Sequence, residues 1–408
     1  MPELLEHQSF NDFTANELKK LHKFIRKNKL DKVLTVHPDE IKAHSYVGII
    51  KCGKLQIEIL PKLLSAENAD KQTILTNLLY MLSFTKKLDI NVSDSAIIDQ
   101  CKNPFLEVLI REYATSLFAG LKRQTPKSYI QIAENLSFWK GKMKLGEHIR
   151  YNCCNKGKIY CEYDEFSEDN ILNQLFYFIA ECLYNITNST QNKKLLQLIK
   201  NHYSDITFRC FDYARAQNIR LRRNQEIFAK PLKLAKMFLQ NTMIDISHRR
   251  MENIVLLWDM NLLFEEFVFE LIRRKCNCQK FGVKAQKRKK LLRTDNGKRR
   301  DTRIDIYFER GDDKIIIDTK YKEFRQLSDF SPQDVYQVST YCLLHDAERA
   351  ILIYPQWQQI NDCMLCELNT DDENKHYKIR FKTINICQNI KENLPAIVDD
   401  LNNMLEVI

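Results

Sequence analysis

Apolar and polar positions along the chain follow two periods, and each predicts a different kind of element. Near residue 50, YVGIIKCGKLQIEIL places Leu55, Ile57 and Ile59 on one face and Gln56 and Glu58 on the other. That is the two-residue period of a strand, and Cys52-Gly53-Lys54 supplies the turn of a β-hairpin. In KQTILTNLLYMLSFTKKL the apolar residues Ile74, Leu75, Leu78, Leu79 and Leu82 recur at helical spacing. Pro104 opens a second helix, PFLEVLIREYATSLFAGLKR, with Phe105, Val108, Leu109, Tyr113, Leu117 and Leu121 on its apolar side. Gly141 to Glu165 reads as strand-like. From Asp169 to about Lys275 the pattern is mostly helical, through NILNQLFYFIAECLYNI, NKKLLQLIKNHY and IVLLWDMNLLFEEFVFELIRRK. After Cys278 come a basic stretch, the alternating TRIDIYFE, a turn at Arg310 to Asp313 and the β-branched run KIIIDTKY, which together predict a second hairpin. A helix at Pro332 to Leu344 and a buried strand, AILIYP, complete an α/β module.

Composition narrows the class. With 408 residues, 44% of them hydrophobic, the chain can bury two or three domain cores. Charged residues make up 28%, and no apolar run approaches the roughly 18 residues that would cross a bilayer, so a soluble globular protein with no membrane partner is expected. MPELLEHQSFNDF has neither a basic leader nor an apolar stretch of the kind export needs, which points to the cytoplasm. Thirteen cysteines, odd in number and scattered from Cys52 to Cys387, read as reduced thiols. Cys276 with Cys278 and Cys363 with Cys366 offer sulfur ligands, although C-x-C is not the usual zinc spacing.

Glycine is scarce, at nine residues, which bears on one stretch. Gly48 to Lys54 matches the first seven positions of a phosphate-binding P-loop, but Leu55 stands where a Ser or Thr hydroxyl should reach the metal. A strand follows instead of a helix. No other Gly-rich fingerprint exists, so a nucleotide-driven step would belong to another protein.

The candidate chemistry lies in the second hairpin. Asp305 stands between Ile304 and Ile306 and points away from both; Asp318 and Lys320, two apart on the next strand, share a face. If the hairpin brings these together, two carboxylates and the Thr319 carbonyl suit Mg²⁺, which takes one or two protein carboxylates and accepts substrate phosphate oxygens. Lys320 would then orient the attacking water or stabilise the pentavalent phosphorane. An Asp-x-Lys on an edge strand is equally a solvated ion pair, but the triple isoleucine before Asp318 predicts a buried strand ending in charges, which is costly unless they pair or ligate. Glu265, on MNLLFEEFVFEL, offers a third carboxylate, while Glu266 points about 100° away. Gln337 and Tyr341 share a face of the helix DVYQVSTYCLL and either reach the site or are ordinary helix-surface polarity.

Charge adds a second feature. Lys284 to Arg303 carries ten basic residues against two acidic ones, most of the chain's net charge of +10. Lys287, Arg288, Lys289, Lys290, Arg293, Lys298, Arg299 and Arg300 are the candidate DNA-phosphate contacts in it; the other reading is a solvated loop.

With these residues in place, the chain resembles the McrC family, the nuclease subunit of the McrBC modification-dependent (5-methylcytosine) restriction systems. In the first part the resemblance rests on VGIIKCGKLQIEILPK, LLYMLSF, LEVLIREYATSLFAGL, ENLSFWKGKM and YCEYDEFSEDNILNQL. In the second it rests on MNLLFEEFV, RIDIYF, IIIDTKYK, DVYQVSTY and LIYP. It implies an α+β protein in three parts. Residues 1–168 would form a mixed domain docking on an McrB-like hexameric AAA+ GTPase, 169–250 a helical connector, and 251–408 an α/β PD-(D/E)xK restriction-endonuclease-like domain that cuts double-stranded DNA. Asp305, Asp318 and Glu265, with the Thr319 carbonyl, would bind Mg²⁺; Lys320 matches the catalytic lysine and Gln337 the helix glutamine. Ile304 replaces the Pro that often precedes the first Asp. GTP or ATP would be bound by the partner, whose hydrolysis this chain would stimulate. The rival expectations are a nuclease-inactive regulatory subunit and a free-standing DNA repair nuclease.

Overall fold

In the computed structural model of the chain, residues 3–11, 13–53, 55–65, 70–88, 104–245, 250–276, 282–293, 299–310, 313–325, 329–357, 365–368 and 377–406 are described. The chain begins with β1 (Glu3–Leu5), β2 (Ser9–Phe10), α1 (Ala15–Asn28), β3 (Leu34–Val36), β4 (Ile41–Ala43), β5 (Tyr46–Cys52), β6 (Leu55–Leu60) and α2 (Lys71–Phe84). Local chemistry sets several of these limits. Thr14 and Glu17 form a capping box at the start of α1, and the Asp70 side chain accepts from the Thr73 N–H at the start of α2. The β5–β6 hairpin is antiparallel as expected, with Gly53 at φ +59 in its turn; Lys54 lies outside the described residues.

Gly48 explains itself by packing. Its φ is +133, and a Cβ there would sit 2.0 Å from the Leu256 carbonyl oxygen, so the close approach of two strands requires glycine. Gln56 and Glu58, expected on the face away from the apolar residues, are only 7% and 1% exposed. β6 runs between β5 and β1 as an inner strand, and the burial of Gln56 and Glu58 shows that its second face is covered too, which alternation by itself does not reveal.

Next come α3 (Pro104–Leu121), β7 (Ser128–Leu136), β8 (Lys142–Met143), α4 (Leu145–Asn152), β9 (Ile159–Ser167), α5 (Ile171–Tyr184), α6 (Thr190–His202), α7 (Tyr213–Gln217), α8 (Ala229–Gln240), β10 (Thr242–Asp245) and β11 (Arg250–Asp259). Two features depart from the sequence reading. The strand-like stretch 141–165 contains the helix α4, and the apolar run from Ile254 is the end of strand β11, not the start of a helix. A short continuous apolar run fits either element. The helix begins only where the Asp259 carboxylate accepts from the Asn261 and Leu262 N–H groups.

The last part holds α9 (Met260–Lys275), β12 (Gly282–Arg293), β13 (Arg299–Arg310), β14 (Asp313–Thr319), α10 (Pro332–His345), β15 (Arg349–Pro355), β16 (Leu365–Leu368), β17 (Tyr377–Ile384) and α11 (Ile390–Glu406). Its six-stranded sheet has the order β12-β13-β14-β15-β17-β16, with β14, β15 and β17 parallel. Ile316, Ala350, Leu352 and Tyr354 pack with Val338, Tyr341 and Cys342 of α10, and the alternate residues Ile315, Ile317, Ile351 and Ile353 are buried as well. Burial on both faces is why these strands read as continuous apolar runs.

The chain forms two compact units, Met1–Asp99 with Val255–Ile408, and Gln100–Ile254. This division differs from the expected boundaries at 168 and 250, because the first hundred residues pack with the last part of the chain, a long-range fact that local periodicity does not carry. Asn77 shows it directly, donating to the Ile386 and Gln388 carbonyls and accepting from the Ile390 N–H. The architecture is a mixed α/β one with several open sheets. Among the described residues no helix is long and apolar enough to cross a membrane, and no disulfide is present. Of the two cysteine pairs considered, Cys278 and Cys363 lie outside the described residues.

Candidate active site

Strand pairing brings the expected acids together. β13 and β14 are antiparallel neighbours with Ile306 opposite Ile317, so Asp305 and Asp318 follow at the same end of the pair. The Asp305 Oδ2 accepts from the Thr319 N–H at 2.9 Å and from its hydroxyl at 3.0 Å, which fixes this carboxylate across the end of β14. Asp318 is 1% exposed. Burial and then the Asp305 charge push its carboxyl up to about 7, against the pull of Lys320.

Lys320 closes the group. Its N–H donates to the Ile353 carbonyl, anchoring the backbone where the strand ends. Its ammonium lies 2.6 Å from Asp318 and donates to the Gln337 Oε1 at 3.0 Å; the Gln337 amide in turn donates to the Tyr341 hydroxyl at 2.6 Å. Burial alone would lower the Lys320 ammonium, but Asp318, followed by Asp305 and Asp334, outweighs it and holds the group above its ordinary value. It is a fixed cation. Gln337 and Tyr341 are thus linked to Lys320 by hydrogen bonds.

Glu265 stands to one side. Its Oε1 accepts from the Gln286 amide at 3.1 Å and meets the Arg303 guanidinium at 3.3 Å. Burial and then the Asp305 charge raise its carboxyl. Glu266 points elsewhere and pairs with Lys87 at 2.8 Å. Among the described residues no three His, Cys, Asp or Glu side chains converge on one cation position, so the acids closest to a shared site are Asp305 and Asp318, with Glu265 held by Arg303.

The basic stretch is neither a tail nor a loop. Lys284 to Arg293 lies in β12, the edge strand of the sheet, and pairs along its length with β13. Arg288, Lys289 and Lys290 are exposed; Lys287, half-buried, sits 3.3 Å over the Tyr307 ring, and Lys289 donates to the Leu344 carbonyl. Arg293, Arg299 and Arg300 fall at the far ends of the two strands, and Lys298 is outside the described residues.

Three groups near the site carry no sequence signal. Asp334, in the first turn of α10, accepts from Lys322 at 2.8 and 2.9 Å and from the Tyr354 hydroxyl at 3.2 Å. Glu6 accepts from the Tyr321 hydroxyl at 3.2 Å and the Lys62 N–H at 3.0 Å, and burial pushes it up to about 7. Gln286, whose backbone takes φ +52, donates to Glu265.

Comparison with known proteins follows this geometry. The model of the McrBC 5-methylcytosine restriction system component family matches residues 41–355. Among solved structures, a chain from the tetradecameric assembly of Thermococcus gammatolerans McrB AAA+ hexamers with bound McrC is similar over 98% of this chain and 99% of that one, at 22% identity and a TM-score of 0.78. A chain of the T. gammatolerans McrBC complex is similar over 67% of this chain and 87% of that one, at 24% identity and a TM-score of 0.54. At these identities the likeness is one of fold. No curated protein sequence matches. The family match spans more than half of the sequence, and the chain belongs to the McrBC family of 5-methylcytosine restriction system components.

Proposed function

We propose that the chain is the McrC-type subunit of such a system, a Mg²⁺-dependent DNA endonuclease that works with an McrB-like AAA+ hexamer and stimulates its nucleotide hydrolysis. The observation that carries this reading is Lys320, held between Asp318 and Gln337 while Asp305 is tied to Thr319. A buried cation beside two carboxylates at a strand end is costly as decoration. It is well placed to act on a phosphodiester. The P-loop-like stretch supports the McrC side of the pair, since Gly48 is there for strand packing and Gly53 for a hairpin turn.

The donor set fits Mg²⁺. Asp305 and Asp318 offer two oxygen ligands; burial, and after it their mutual repulsion, raises Asp318, which a cation would relieve, and the Thr319 carbonyl is a third oxygen donor in the same stretch. When bound, Mg²⁺ supplies charge neutralisation at the scissile phosphate and a lowered pKa for the attacking water. The chain's own groups do the rest. Lys320 orients the attacking water or offsets charge on the phosphorane; Gln337 and Tyr341 keep its ammonium from swinging into solvent; the Thr319 N–H and hydroxyl hold Asp305 in one rotamer.

Docking on the hexamer is assigned to the sheet with the order β7-β9-β8 and to α4. Tyr129, Phe138, Trp139, Leu145, Tyr151 and Phe166 are all more than half exposed there, an apolar concentration that a solitary protein has no reason to keep. This lies within the expected docking region 1–168.

The test is cleavage of 5-methylcytosine-containing and unmodified plasmid by the wild-type chain with Mg²⁺, alone and with its AAA+ partner plus GTP or ATP. Cutting that requires partner and nucleotide supports the nuclease-subunit reading. Cutting by the chain alone would favour a free-standing nuclease.

A further inference from the structure

The basic stretch before the catalytic hairpin has two faces, and the structure separates them. On one, Lys287 lies over the Tyr307 ring, Lys289 donates to the Leu344 carbonyl of α10, and the cross-strand partners are the buried Ile304 and Thr302. His345 at the end of α10 senses the same pair: burial and then the charges of Lys287 and Lys289 press its imidazole down to about 4. Both lysines are held by the protein itself, Lys287 half-buried on the Tyr307 ring and Lys289, though exposed, tied to α10.

On the other face Arg288 stands directly opposite Arg303. Like charges in directly opposed strand positions repel, so the pairing weakens the ribbon unless something negative lies between them. Arg303 reaches Glu265 at 3.3 Å, whereas Arg288 is exposed and, among the described residues, has no ion pair. Lys290, one step further out and on the same face, is exposed too. Arg303 is two residues from Asp305, about 6.5 Å along the strand.

We propose that Arg288 and Arg303 form a clamp for a backbone phosphate of duplex DNA next to the cleavage point, with Lys290 extending the track, and that Lys287 and Lys289 take no part in binding. This rests on the nuclease reading of the Asp318 and Lys320 site. Planar guanidiniums suit the role, because each presents two parallel donors to a phosphate. Arg303 would exchange Glu265 for phosphate as DNA arrives.

The experiment is fluorescence anisotropy of a labelled DNA duplex with the full chain, in the absence of divalent ions, over a series of salt concentrations. Arg288→Gln and Arg303→Gln should each weaken binding and lower the slope of log Kd against log salt by about one, and the double variant by about two. Lys287→Gln and Lys289→Gln should leave that slope at the wild-type value. Circular dichroism of each variant identifies any that fails to fold, and Arg288, being exposed, is safe to change. Equal loss of slope from the lysine and the arginine variants would overturn the clamp while leaving the nuclease reading intact. A wild-type chain that binds no duplex by itself would likewise overturn the clamp, and leave standing the nuclease reading, in which the chain acts with its partner.

Discussion

Two sheets of this protein leave different things unsatisfied. The central strands of the six-stranded sheet are buried on both faces, with Ile316 and Leu352 on one side and Ile317 and Ile353 on the other, and two charges, Asp318 and Lys320, meet where β14 runs out. The three-stranded sheet β7-β9-β8 does the reverse. It carries its charges in exposed pairs such as Lys140 with Glu165 and leaves aromatic rings in the open, Tyr129 at 63% and Trp139 at 61% exposed. Buried charge at a strand end asks for a counter-ion or a reacting group; exposed aromatic surface asks for another macromolecule. In the proposed reading the first is the place of chemistry and the second of docking.

The largest effect expected concerns the charged strand end. Lys320→Ala should reduce DNA cleavage by about 10²- to 10⁴-fold, measured as single-turnover plasmid nicking, because in the proposed mechanism this is the group that acts on the reacting phosphate. Gln337→Ala should cost less, roughly tenfold, since the lysine loses one hydrogen bond and keeps Asp318.

Stability sharpens the same contrast. Ile316→Ala, in the doubly buried sheet, should destabilise by about 2–5 kcal/mol, whereas Tyr129→Ala on the exposed sheet should shift stability by no more than about 0.5 kcal/mol in denaturant titrations. Trp139→Ser should likewise leave the melting temperature nearly unchanged while abolishing stimulation of the partner's nucleotide hydrolysis. A large loss of stability from either exposed ring would show that the aromatic face belongs to the fold.

A smaller effect is set by pH. Glu6 titrates at about 7 in the folded protein and near 4.5 when exposed, so the folded state holds an extra proton between those values. Its contribution is full below about pH 4.5 and is lost as pH rises to 7, roughly 3 kcal/mol in all. Asp318 acts in the same direction, so the quantity to measure is the difference between wild type and Glu6→Gln. That difference in unfolding free energy should grow in favour of the variant from pH 5 to 7 and level off above it.

Much of this was legible in sequence where the information is local. The hairpin at Gly53, helices α2, α3, α5, α6 and α10, and the shared face of Asp318 and Lys320 follow from period and turn chemistry alone. What was not legible depends on distant partners. The apolar run at the end of β11 fits a strand or a helix until its neighbours are known, and Gln56 and Glu58 look like a solvated face until the packing on that face is known. The ten basic residues look alike in sequence; only the pairing of β12 with β13, and the packing of α10, tells Lys289 from Arg288. Glu6 offers no signal, because its partner Tyr321 is more than three hundred residues away.

The most direct test of the central claim pairs two readouts in one reaction: plasmid cleavage and nucleotide hydrolysis, with the AAA+ partner, Mg²⁺ and either GTP or ATP, for wild type, Asp318→Ala and Lys320→Ala. The account predicts that both variants lose cleavage and still stimulate hydrolysis as well as wild type. Undiminished cleavage by either variant, or stimulated hydrolysis with no cleavage by wild type on any modified or unmodified plasmid, would contradict it.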